Sequence, residues 1–162
     1  MEILDLYDDN CNLLNETIVR GNTPIKGRNI MLSVIYIKNN DNKYLIQKTS
    51  KEKGSKYSST GGHVVHNEDG LSTIIRELKE ELSINTNPKE IKYIDTFKYP
   101  NKQCIFNVYL LEINNLNINN IKLQQEEVES IKWMNKDEIK KLITDNKFLE
   151  SHAYIFNNYI NK

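Results

Sequence analysis

Residues 62–84 constrain this chain more than any other stretch, because they specify a helix and a carboxylate cluster together. Leu71, Ile74, Ile75, Leu78 and Leu82 recur at helical spacing, so a helix over about residues 69–83 is expected, with one apolar face against a core. Asp69 is placed to cap its start, and residues 85–88 to end it. Glu77, Glu80 and Glu81 stand at i, i+3 and i+4, which gathers three carboxylates within roughly a third of the helix circumference. Like charges at those spacings destabilise a helix by roughly 0.2–0.5 kcal/mol per pair, and folding alone does not call for them. A cation would reverse the sign. Hard oxygen ligands suit Mg²⁺ or Mn²⁺, which bind through one or two carboxylates together with substrate phosphates. The plainer alternative is a solvated acidic face with Arg76 and Lys79 as local counter-ions.

Written out, the segment runs Gly62, five residues, Glu68, seven residues, then Arg76-Glu77-Leu78-Lys79-Glu80-Glu81-Leu82-Ser83-Ile84. It resembles the Nudix box, G-x5-E-x7-R-E-U-x-E-E-x-G-U with U a bulky aliphatic, at every specified position except the last glycine, which is Ser83. At average residue frequencies such a match arises by accident with a probability on the order of one in a million. The resemblance reaches beyond the box. Asp5-Leu6-Tyr7-Asp8, Tyr44-Leu45-Ile46-Gln47-Lys48, Ser59-Thr60-Gly61-Gly62 and Glu126-Glu127-Val128 with Trp133 look like the branch of Nudix hydrolases closest in sequence to isopentenyl diphosphate isomerase. Together they span about residues 5–143.

The resemblance implies a role for each matching residue. Glu80 and Glu81 would be the main metal ligands, with Glu77 a further ligand or the base that activates water. Arg76 would orient Glu77 by a salt bridge, Glu68 would support Arg76 or the outer metal shell, and Gly62 would turn its backbone carbonyl to the metal. The ion would be Mg²⁺ or Mn²⁺. A base from outside the box is also frequent in the family; among Glu126, Glu127 and Glu129, the Glu-Val pair ahead of the tryptophan strand favours Glu127. A solvated loop carboxylate is the competing reading of Glu127. His63 and His66 lie near the expected metal but match a hard ion poorly, and His152 reads as structural. Serine at position 83 would take up the left-handed conformation of the usual glycine at a cost of about 1 kcal/mol.

Composition bounds the rest. A chain of 162 residues is expected to form one domain and can bury roughly 70% of its unfolded surface. Its 22 basic and 22 acidic residues cancel, and no stretch concentrates the basic ones, so no nucleic-acid footprint is expected. No apolar run approaches the roughly 20 residues of a membrane span, and the acidic start is unlike a signal peptide. Cys11 and Cys104 lack metal spacing and read as free thiols in a reducing compartment, Cys104 as a small core residue, so a cytoplasmic protein is expected. Heavy use of Asn, Lys and Ile suggests an AT-rich genome, and a bacterial source is expected. A homodimer is left open.

Along the chain, residues 2–7 and 13–20 read as an N-terminal hairpin, and residues 30–38 and 43–48 as a second one across an Asn/Asp turn. Residues 49–59 read as a mobile polar loop. Strands are expected at 91–99, 104–113 and 129–134, with helical periodicity at 136–143 and 148–160. The pattern points to an α/β (α+β) chain, and the resemblance to an α/β/α sandwich on a mixed sheet, organised as hairpin 1–20, core 28–145 and C-terminal helix 147–160. Three functions follow. The first is a metal-dependent hydrolase cleaving a diphosphate linkage in a nucleoside diphosphate derivative or related phosphoanhydride, a small-molecule partner. The second is isopentenyl diphosphate isomerase, which requires a cysteine where this chain has Ser58-Ser59-Thr60-Gly61. The third is a non-catalytic nucleotide-binding module, which normally shows an eroded box. Arg28, Lys48, Lys53, Tyr57, Phe97 and Tyr99 are candidates for phosphate or base contacts.

Overall fold

The computed structural model describes all 162 residues. In chain order it contains β1 (Ile3–Tyr7), β2 (Leu13–Val19), β3 (Ile30–Lys38), β4 (Tyr44–Thr49), β5 (Tyr57–Ser58), β6 (Thr60–His63), α1 (Gly70–Leu82), β7 (Ile91–Lys98), β8 (Cys104–Glu112), β9 (Val128–Met134), α2 (Lys136–Thr144) and α3 (Glu150–Ile155). The last helix widens into a π-helical turn over Phe156–Ile160.

β3 organises the molecule. Its sequence, Ile-Met-Leu-Ser-Val-Ile-Tyr-Ile-Lys, is a nearly unbroken apolar run, as suits a strand covered on both faces. It runs parallel to β8, from Ile30 opposite Cys104 to Lys38 opposite Glu112, and antiparallel to β6, from Leu32 opposite His63 to Ile35 opposite Thr60. β7 lies antiparallel on the far side of β8. β4 touches β3 only where Lys38 lies opposite Tyr44, so the expected second hairpin does not extend past the turn; β4 pairs instead with β9 and β5, completing a mixed sheet of seven strands.

Alternation along β3 separates two cores. Ile35 and Ile37 face α1, joining Ile74, Leu78 and Leu82 with Leu45, Tyr109 and Leu111. Val34 and Tyr36 face the opposite way, against Phe106, Val108, Ile139, Phe148, Ile155 and Phe156. The sheet is therefore sandwiched between α1 and the C-terminal helices, as expected. Ile74, Leu78 and Leu82 are fully buried, while Leu71 and Ile75 lie partly buried beside them.

α1 begins where the sequence places it: the Asp69 side chain accepts from the Ser72 backbone N–H at 2.8 Å. It stops at Ser83, whose φ of 54° is left-handed. The Ser83 and Ile84 N–H groups close on the carbonyls of Lys79 and Leu78, and Ser83 Oγ donates to Lys122 O at 2.9 Å. The missing glycine thus leaves the helix end in place. The polar stretch 49–59 carries more structure than its composition suggests. It holds a 3₁₀ turn (Lys51–Lys53) and β5, with Ser50 N–H donating to Glu127 O and Ser50 Oγ to Glu126 O.

The hairpin β1–β2 forms a separate ribbon that meets the main sheet through single bridges, Leu4 with Val65 and Tyr7 with Asn29. No helix is long and apolar enough to cross a membrane.

Candidate active site

Two glycines let β6 fit closely between its neighbours, Gly61 against β3 and Gly62 against α1. A methyl group on Gly61 would press against the Ser33 carbonyl of β3, and one on Gly62 would overlap the Glu77 carboxylate. Gly62 is thereby explained by packing: any side chain there would displace the acid group that α1 presents to β6.

Arg76 sits at the centre of the acidic set. Its Nε and Nη2 donate to the two oxygens of Glu68, both at 2.9 Å, a bidentate fork; Nη1 donates to Glu77 Oε1 at 2.9 Å and Glu80 Oε2 at 3.4 Å, and Nη2 also to His63 O at 3.1 Å. These bonds, those to Glu68 foremost, hold its guanidinium still more firmly protonated than usual. Thr73 Oγ1 donates to Glu68 at 2.6 Å. Burial pushes the Glu68 carboxyl upward, but the bonds from Arg76 and Thr73 outweigh it and hold the group below its ordinary range. Glu68 stands behind Arg76 and does not line the cleft.

Glu81 is 7% exposed. Gln47 Nε2 on β4 donates to its Oε2 at 3.0 Å, and Thr60 Oγ1 donates to Gln47 Oε1 at 3.1 Å, so Thr60 fixes the amide with its N–H₂ toward the carboxylate. Burial raises the Glu81 carboxyl to about 8 against the pull of Gln47, and the touching Glu77 adds to the rise. Burial also raises Glu77, opposed by Arg76. Burial disfavours the charged form of both neighbouring acids, an arrangement that calls for a proton or a cation. Glu80 is half exposed at the rim.

The three carboxylates of α1 open onto a cavity of about 150 Å³ with no apolar wall. Five glutamates (Glu2, Glu77, Glu80, Glu81 and Glu127) and two arginines (Arg20 and Arg76) line it, with Gly61, Gly62, His63 and Gln124. His63 is held neutral: burial lowers its imidazole to about 4, and Arg20 nearby acts in the same direction. No three His, Cys, Asp or Glu side chains converge as a preformed metal-ligand set. The donor set nonetheless fits a hard divalent cation, because it consists of carboxylate oxygens whose charge burial disfavours unless a counter-ion is present.

A second cavity, of about 250 Å³, continues from the first and shares Arg20, Gly61, Gly62, His63, Glu81 and Glu127 with it. Leu32, Val34 and Leu149 give it an apolar side; Lys53, Lys56, Ser59 and His152 are among its polar walls. Glu127 lies between the cavities, with Lys53 Nζ 3.4 Å from its Oε1.

Other residues singled out from sequence lie elsewhere, apart from His152, which borders the second cavity. Glu129 pairs with Lys48, Glu126 faces a separate surface hollow, and Arg28 pairs with Glu16. Lys48 also sits over the Tyr57 ring, and Phe97 and Tyr99 belong to an aromatic stack with Phe106, Tyr154 and Tyr159. His66 pairs with Asp5, and His152 bonds to Ser59. Cys11 and Cys104 are free and line neither cavity.

Several wall residues escape sequence reasoning, Gln124 and Lys56 among them. Gln47 could have been noticed as a polar residue in an apolar strand, whereas Glu2 and Arg20 carry no local signal and reach the cleft only through the docking of the hairpin.

The model of the NUDIX domain matches residues 29–155. Nearly the whole chain is similar to an uncharacterized Nudix hydrolase of Listeria innocua, 24% identical over 164 residues that cover 99% of this chain and 94% of the relative. Among solved structures, DR0079 from Deinococcus radiodurans superposes with a TM-score of 0.79 at 16% identity, covering 96% of this chain and 98% of that one. A bifunctional NMN adenylyltransferase/ADP ribose pyrophosphatase from Francisella tularensis, complexed with AMP and a Mn ion, superposes with a TM-score of 0.66 at 22% identity, over 85% of this chain and 41% of that one.

Proposed function

This chain belongs to the Nudix hydrolase family, and from that premise we propose that it cleaves the diphosphate linkage of a nucleoside diphosphate derivative or related phosphoanhydride with the help of Mg²⁺ or Mn²⁺. The observation that carries the reading is the buried Glu81 beside the partly buried Glu77, in a cleft of five glutamates and two arginines. A diphosphate could enter so acidic a cleft only alongside a cation. Glu77, Glu80 and Glu81 would hold the ion with the Gly62 carbonyl, and Glu68 would act through Arg76. When bound, the ion supplies charge neutralisation of the diphosphate and a more acidic water.

The protein's own groups do the remaining work. Arg76 keeps Glu77 oriented, and Gln47, itself held by Thr60, keeps Glu81 turned toward the cleft. Glu127 faces the box carboxylates from the opposite loop and is our choice for the group that takes the proton from the attacking water. The apolar side of the adjoining cavity is suited to the organic part of the substrate. The Mn ion with the Francisella tularensis enzyme supports the choice of ion, and the two free thiols support a cytoplasmic setting.

A phosphate-release screen with Mg²⁺ and with Mn²⁺, across nucleoside triphosphates, dinucleoside polyphosphates, nucleotide sugars, ADP-ribose and isopentenyl diphosphate, tests the proposal. Hydrolysis of at least one nucleotide-derived anhydride, abolished by chelation, is expected. Isopentenyl diphosphate should not be isomerised, since no cysteine lines either cavity. Turnover that survives complete removal of divalent ions would overturn the metal assignment.

A further inference from the structure

The N-terminal hairpin lies outside the residues matched by the family model, yet it delivers a cation to the cleft. It is fastened to the segment that leads into α1. His66 N–H donates to Ile3 O at 2.8 Å, the Asp5 carboxylate accepts from Asn67 N–H at 3.1 Å and pairs with His66 Nδ1 at 2.6 Å, and Tyr7 and Asn29 exchange backbone bonds of 2.9 and 2.8 Å. With the ribbon clamped along β1, its open end is held over the cleft. There Arg20 N–H donates to Glu2 O at 3.0 Å, and the two side chains meet at 2.6 Å.

The cations around the two cavities differ in what they have left to give. Arg76 spends Nε, Nη1 and Nη2 on Glu68, Glu77, Glu80 and the His63 carbonyl. Lys53 pairs with Glu127, and Lys56 donates to Asn146 O at 2.6 Å. Arg20 alone borders both cavities while bonding only through Nη1, to a carboxylate that is itself 44% exposed. Its Nε and Nη2 meet no protein acceptor. A planar fork of this kind matches phosphate oxygens, and each charge-assisted bond it makes in a partly desolvated site adds to binding.

We propose that Arg20 is a substrate-binding residue that grips a phosphate at the junction of the two cavities, with Glu2 as the resting partner it shares or releases when the anion arrives. The inference rests on the reading of the cleft as a phosphoanhydride site. It makes the hairpin a wall of the site and gives the chain a phosphate contact supplied from beyond the family-matched residues.

The test is calorimetric binding of imidodiphosphate, a hydrolysis-resistant diphosphate, in saturating Mg²⁺, to the parent and to Arg20→Gln, Arg20→Lys and Glu2→Gln. Arg20→Gln should weaken binding roughly 10-fold or more, the span of a lost charge-assisted bond. Arg20→Lys should fall between it and the parent. Glu2→Gln, by freeing the guanidinium, should match or exceed the parent's affinity. If the Glu2–Arg20 pair served only to hold the hairpin, Arg20→Gln and Glu2→Gln would weaken binding together, and that result would overturn the inference, as would an Arg20→Gln protein that binds like the parent. Should Arg20→Gln fail to fold, the opposite directions of Arg20→Lys and Glu2→Gln decide the matter, and weakening in both would count against the inference. A parent that binds no imidodiphosphate would remove the underlying reading itself.

Discussion

A buried carboxylate is costly to ionise, and at Glu81 that cost is tied to the proposed chemistry. Burial and the neighbouring Glu77 raise the group to about 8, so it gives up its proton less readily than an ordinary carboxyl, and a divalent ion would compete with that proton. Glu80→Gln and Glu81→Gln remove ligand charge while keeping shape, and each is expected to lower metal-dependent turnover roughly 100-fold or more. Turnover within threefold of the parent in both variants would refute the assignment. The base is tested separately. If Glu127 takes the proton, Glu127→Gln should lower kcat by about 10²- to 10⁴-fold with little change in KM and flatten the acidic limb of the pH profile. If Glu77 does, that signature moves to Glu77→Gln and Glu127→Gln is nearly silent. At this scale the acidic set was legible because helical spacing alone gathers Glu77, Glu80 and Glu81. Gln47 was not, since its bond to Glu81 joins residues 34 positions apart and depends on how β4 lies against α1.

At the scale of elements, α1 spans Gly70–Leu82 where periodicity and the Asp69 cap place it at residues 69–83, because its signals are local. The strand β6 carries no such signal. It has four residues, two of them glycine, and exists through its pairing with β3. Ser83 shows how a local cost is met by a tertiary contact. Its left-handed backbone costs about 1 kcal/mol relative to glycine, while its hydroxyl bonds to Lys122 O in an exposed setting, a contribution of about 0.5 kcal/mol. Ser83→Gly should therefore raise the melting temperature by about 1–2 °C, the relieved strain exceeding the lost bond. Ser83→Ala keeps the strain and loses the bond, so it should melt below the parent. Thermal unfolding of the three proteins in one buffer checks both signs; an alanine variant more stable than the glycine one would show that the left-handed backbone is not the governing cost.

Across the whole molecule, the sandwich was readable from the order of strands and helices and from the Nudix resemblance, but the tie that closes the second face was not. His152 lies on α3, and Tyr36 OH of β3 donates to its carbonyl at 2.7 Å, while its Nδ1 meets Ser59 Oγ, just ahead of β6, at 3.0 Å. One residue thus joins the C-terminal helices, the central strand and the entry to the cleft. Burial lowers its imidazole from an ordinary 6.5 to about 4. Because the folded value is depressed, the stability linked to this group is present above pH 6.5 and is lost as pH falls toward 4, where the unfolded chain binds the proton that the folded one refuses. The difference amounts to at most about 3 kcal/mol. His63, lowered in the same direction, adds to the loss, so a difference measurement is needed to isolate His152. His152→Asn places an amide near the position of Nδ1, able to bond Ser59 without titrating. Between pH 6.5 and 4 the parent's melting temperature should drop by about 5 °C or more beyond the drop of this variant. Parallel curves for the two proteins would mean that the buried imidazole does not govern acid lability, and would shift it to the remaining titratable groups, His63 among them.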